Sequence, residues 1–162
     1  MSTGELKVLL VDATGLKGAD YVGSISPYVV IQYNNHELKS RTAHGFCGAD
    51  QGGDPVWNET FAFPVSSSPV DNPIQHKLIL RIMDADTYTE DDFIGQATVH
   101  LGNVIALGTE EGFAELEPAK YRVVLEDESY CGEIEVGVRF TTHGALIFVK
   151  FPRKLVEGLE TS

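Results

Sequence analysis

Cysteine is scarce and scattered. Cys47 and Cys131 are the only two, far apart and without a CxxC partner, so neither a disulfide framework nor a zinc site is expected. They read most simply as reduced thiols. Long apolar runs are missing as well: none reaches the roughly 18 residues of a membrane span. A basic leader is absent, since "MSTGELKVLLVDATG" sets only a short apolar stretch (8–11) between acids. That is not a secretory signal, and the expectation is a cytosolic protein. Positive charge is in short supply, with 12 Lys and Arg against 24 Asp and Glu and a net charge of −12. Such a chain repels nucleic acid and anionic lipid at long range, so nucleic acid is not an expected partner. Attraction to a phosphate-rich surface has to be local or supplied by cations. A glycine-rich phosphate loop and a Ser/His/Asp arrangement are both lacking. The five histidines (36, 44, 76, 100 and 143) are scattered and expected at the surface.

Period-two alternation is what the chain has in quantity. Eight segments read as strands: 5–13, 27–34, 36–42, 56–65, 76–84, 93–101, 120–127 and 132–140. In "HKLILRIMD", Leu78, Leu80 and Ile82 share one face and Lys77 and Arg81 the other, the pattern of an antiparallel sheet with one wet side. Eight short strands with almost no long helical periodicity predict an all-β fold, an eight-stranded antiparallel β-sandwich or a barrel. A short helix fits 103–112, stopped by glycine. Trp57 belongs in the core, and Asp12 and Asp127 read as turn acids. "SSSPVDNP" (66–73) is an exposed loop. The tail 143–162 carries an apolar run followed by Arg153 and Lys154; it either folds back on the sandwich or forms an amphipathic contact element.

One stretch departs from ordinary turn chemistry. "MDADTYTEDDFIG" (83–95) places Asp84, Asp86, Glu90, Asp91 and Asp92 between two strands. Like charges about 5 Å apart repel by roughly 1–2 kcal/mol per pair at an effective dielectric near 40. Two acids at i and i+2 of a turn converge on one point, and a third on the returning arm closes a cup. Calcium accepts such flexible oxygen sets, whereas magnesium demands a stricter octahedron. An EF-hand is excluded: started at Asp84, its glycine position falls on Thr89 and its bidentate glutamate position on Gly95. A second acidic loop, "TGLKGADYVGSISPYV" (14–29), contains Asp20. The acids lie on polar loop tips and not in an apolar cleft, which argues against carboxylate-pair catalysis.

Taken in order, "GAD…SPYVVIQY", "DPVWNETFAF" and "MDADTYTEDDFIG" resemble a C2 domain over about residues 4–142, and in particular the small single-domain plant C2 proteins of the elicitor-responsive kind. The resemblance implies a sandwich of type II topology, because "GEIEVGVRF" comes last. It implies calcium (Ca2+) held by the carboxylates of Asp20, Asp84, Asp86 and Asp92, with the backbone carbonyls of Ala19 and Ala85 completing the shell. The family pattern usually has Asp before "PYV". Here Ser26 stands there, so one good site and one weakened site are expected.

Tyr21, Val22 and Tyr88 stand at the tips of the two acidic loops, where solvation alone would favour Ser or Asn; they are expected either to enter a membrane's interfacial zone, which suits tyrosine, or to pack between the loops. The resemblance also implies a weak lipid-headgroup role for Lys39 and Arg41, the alternative being plain solvent exposure. The expected function is calcium-dependent docking on a phospholipid membrane by a cytosolic, monomeric protein that becomes peripheral on the plasma membrane when calcium rises, within plant defence or stress signalling. The alternative is a calcium-independent protein-interaction module on the same scaffold. An enzyme is not expected.

Overall fold

The computed structural model describes residues 2–16, 26–43, 54–67, 76–85 and 88–143. Among them eight strands and one helix follow in the order β1 (Ser2–Thr14), β2 (Pro27–Tyr33), β3 (His36–Lys39), β4 (Val56–Ser67), β5 (Lys77–Asp84), β6 (Asp92–His100), α1 (Gly102–Glu111), β7 (Phe113–Val124) and β8 (Tyr130–Thr142). Every pairing is antiparallel, and the strands run β3-β2-β5-β6-β7-β8-β1-β4. The halves β3-β2-β5-β6 and β7-β8-β1-β4 meet at β6 and β7 through a single registered pair, Gln96 with Val124. That thin seam lets the two halves face each other across one core. The last strand, carrying "GEIEVGVRF", lies beside the first, where the type II reading puts it.

Alternation builds the core. Leu6, Val8 and Leu10 of β1, Val29, Ile31 and Tyr33 of β2, Leu78, Leu80 and Ile82 of β5, and Ile134, Val136 and Phe140 of β8 have no exposed surface. Burying each such side chain contributes about 1.5–3 kcal/mol. The opposite face of β5 is wet, with Arg81 3.8 Å from Glu37. Trp57 is fully buried and joins the same cluster. Helix α1 stops at Gly112, which adopts φ +90° and donates its N–H to the Gly108 carbonyl at 2.8 Å, a left-handed stop that glycine makes without strain.

Three expectations are corrected. Strand β7 begins at Phe113, ahead of the predicted 120, because Glu117-Pro118 is absorbed in a register shift between Leu116 and Ala119. Gly137 opposite leaves room for the proline ring: a Cβ there would meet Pro118 Cγ at 3.0 Å. Strand β3 ends at Lys39 and not at 42, since the Ser40 hydroxyl replaces a carbonyl in accepting the Val29 N–H at 2.9 Å. Finally, His76 is buried, its Nδ1 3.0 Å from the Tyr33 hydroxyl, whereas His36, His100 and His143 are exposed and His44 lies outside the described residues. Cys131 is a free thiol and Cys47 lies outside the described residues.

Candidate functional site

Strand polarity sets the strand ends that flank the acidic segments at one edge. The segments after β1, between β3 and β4, between β5 and β6, and between β7 and β8 all leave the same edge of the sandwich. A register shift in the β5–β6 pair between Ile82 and Met83 precedes the loop. Bulges of this sort re-aim side chains at barrel rims and next to binding sites. Beyond it, Asp84 and Asp92 stand directly opposite each other as the last cross-strand pair. Like charges in that position destabilise a hairpin unless something offsets them.

Strand β2 brackets the outgoing arm. The Ser26 N–H donates to Asp84 Oδ1 at 2.8 Å, and the Ser26 carbonyl accepts the Ala85 N–H at 3.0 Å. On the returning arm the Tyr28 hydroxyl donates to Asp91 Oδ2 at 2.5 Å. That bond, with burial and the Asp91 charge adding to it and Arg81 opposing, pushes the Tyr28 hydroxyl up to about 12. Lys39 Nζ lies 4.7 Å above the Tyr28 ring, close enough for a cation–π attraction. Asp54 Oδ1 accepts the Gly15 N–H at 3.1 Å and ties the β3–β4 connection to the stem of the first loop.

Of the residues marked by sequence, Asp84, Asp92 and Ala85 come together at the base of the β5–β6 loop. Tyr88 stands at the loop's tip, 91% exposed. Ala19, Asp20, Tyr21, Val22 and Asp86 lie outside the described residues, as does all of the tail past His143. Lys39 and Arg41 are both accounted for: the first by the Tyr28 ring, the second by Glu59 Oε1 at 3.9 Å and by the Trp57 carbonyl, which accepts from Arg41 Nη2 at 2.6 Å. Sequence reasoning marks neither Tyr28 nor the Ser26 main chain. The only sequence signal for Tyr28 is an aromatic two residues past the serine of "SPYV". Asp127 is the turn acid expected, accepting the Ser129 N–H and hydroxyl at 3.0 and 2.6 Å, and both bonds hold its carboxyl below the ordinary aspartate range.

Among the described residues no group of three or more His, Cys, Asp or Glu side chains gathers to hold a metal. The described part of the cup is nevertheless oxygen-only: two facing carboxylates and the Ala85 main chain. Hard donors of this kind suit calcium and offer nothing to a thiolate- or imidazole-seeking metal.

Residues 4–116 match the C2 domain family. The chain belongs to that family. This C2 protein is 48% identical over 142 residues to Elicitor-responsive protein 1 of Oryza sativa subsp. japonica, covering 86% of this chain and 85% of the relative. Among solved structures, a C2 domain-containing protein matches with a TM-score of 0.65 at 37% identity, over 89% of this chain and 94% of that one. The calcium-bound pair of C2 domains from Extended-Synaptotagmin 2 matches with a TM-score of 0.59 at 21% identity, over 86% of this chain and 46% of that one, a likeness of fold alone.

Proposed function

We propose that this C2 protein is a calcium-dependent phospholipid-binding module, not an enzyme, with residues 4–142 as the unit and 143–162 as an appended segment. The observation that carries the reading is the Asp84–Asp92 pair, two carboxylates set opposite each other at a hairpin end. Asp20, Asp86 and the Ala19 carbonyl are assigned to the same cup by resemblance to the C2 family, and a solved structure of like fold with calcium bound supports calcium as the ion. Bound calcium would neutralise the carboxylates and offer lipid phosphate oxygens its remaining positions. Two ions would still leave the chain near −8 from its −12. The change is therefore local, felt over about a Debye length, roughly 8 Å at physiological salt. Exposed Tyr88, with Tyr21 and Val22 from the first loop, adds interfacial contact. Lys39 and Arg41 are assigned a secondary role toward headgroups. Such a protein shuttles between cytosol and plasma membrane in plant defence signalling.

Vesicle co-sedimentation tests this. Wild type should pellet with anionic vesicles in calcium and be released by chelator, while the double variant D84N/D86N should stay in the supernatant with its circular dichroism unchanged. Equal pelleting of both proteins in calcium would reject the reading.

A second reading is a calcium-independent protein-interaction module. It is favoured by an open groove of about 450 Å³ on the outer face of β7-β8-β1-β4, lined by Lys7, Leu9, Glu115, Leu116, Pro118 and Arg139 among others. Calorimetry against calcium separates the two.

A further inference from the structure

The two arms of the β5–β6 loop are both fastened to the start of β2. The outgoing arm is held through the Ser26 main chain: its N–H donates to Asp84 Oδ1, and its carbonyl accepts the Ala85 N–H. These bonds do not depend on which side chain stands at position 26. The returning arm is held by a side chain, the Tyr28 hydroxyl on Asp91 Oδ2 at 2.5 Å. Tyr28 cannot swing away, because it is only 7% exposed and Lys39 covers its ring. A hydroxyl donating to an ionised carboxylate makes a bond of the stronger, charge-assisted class. Asp91 adjoins Asp92, so fixing the one limits where the other can go.

We infer that Tyr28 is a positioning residue for the calcium cup: by clamping Asp91 it holds Asp92 opposite Asp84 before an ion arrives. The inference rests on the calcium reading above and deepens it. Its physical basis is preorganisation. A loop already ordered in its binding conformation does not lose that freedom on binding, and the saving appears as affinity. Asp91 in this scheme acts through the tyrosine and not through the ion.

The test is calorimetric titration of the full chain with calcium chloride alone, for wild type, Y28F, D91A and Y28F/D91A. Y28F keeps the net charge and the ring, and should bind calcium about three- to tenfold more weakly, the worth of one lost hydrogen bond. D91A weakens binding too, and because Asp91 is exposed no core packing is at stake. Adding Y28F to D91A should change the Kd by less than about twofold, since the bond is already gone. A purely structural tyrosine would instead weaken both backgrounds alike. Heat of binding in wild type with an unchanged Y28F, or penalties that multiply in the double variant, would overturn the inference and leave the calcium reading standing. No calcium heat in wild type would overturn both.

Discussion

Replacing Asp92 by Asn should make the protein more stable without calcium and less stable with it. Asp84 and Asp92 are cross-strand partners at the end of β5 and β6, a position in which side-chain heads sit about 5 Å apart. At effective dielectrics of about 40 to 80 this pair repels by roughly 0.8–1.7 kcal/mol. Asn keeps the shape and removes the charge. In chelator at low salt the variant should therefore gain about 1 kcal/mol, a rise of about 2–4 °C in Tm for a domain of this size. Salt at about 1 M, where the Debye length is roughly 3 Å, should shrink that gain. With calcium the order reverses. A ligand at about a hundred times its Kd adds about 2.7 kcal/mol to the native state that binds it, and D92N forfeits most of this. Differential scanning calorimetry of both proteins in chelator and in calcium reads the crossing directly. A D92N protein less stable than wild type in chelator would refute the claim that these carboxylates oppose folding, and parallel shifts in calcium would refute their sharing an ion.

Two further outcomes follow from the geometry. G108A should lower stability by about 1–3 kcal/mol, because its Cβ would lie 2.4 Å from Phe140 Cδ2 in the filled core; overpacking outweighs the roughly 1 kcal/mol that alanine offers a helix, and thermal denaturation showing a rise in Tm would contradict it. Alkaline titration followed by tyrosinate absorbance should show one group ionising near pH 12 in wild type, lost in Y28F: the folded-state pKa lies above the ordinary 10.0, so this bond's contribution to stability is complete below about pH 10 and fades as pH rises through 12.

Strands with one wet face and one buried face announce themselves in the sequence, because alternation and burial are the same fact seen twice. Leu78, Leu80 and Ile82 need no tertiary knowledge to be placed inward. Strand β7 outruns its expected start because a local rule about proline yields to a partner strand, and the reason lies in Gly137 on β8. His76 defies its surface expectation on similar grounds: nothing near it in sequence shows that Tyr33 stands ready to bond its ring. At the candidate site, the carboxylates of the β5–β6 loop are legible because acids that crowd a turn violate its ordinary chemistry. Ser26 and Tyr28 are not, since one acts through its main chain and the other looks like any strand tyrosine.

Strand β2 thereby joins two things that are separable on paper. Its inward residues Val29, Ile31 and Tyr33 lie in the core, while Ser26 and Tyr28 at its start hold the acidic loop. The strand pairs with β5 from Pro27–Asp84 to Tyr33–Leu78 without a break in register, so the loop base is referenced to the core by an uninterrupted ladder. A change that slips this register by one residue would turn Val29, Ile31 and Tyr33 outward and at the same time move both loop anchors. Repulsion between Asp84 and Asp92 is thus opposed by the Ser26 main-chain bonds on one arm and the Tyr28 hydroxyl on the other, both fixed to a strand whose ladder runs into the core. A binding loop with no such anchorage would relax by spreading its acids apart.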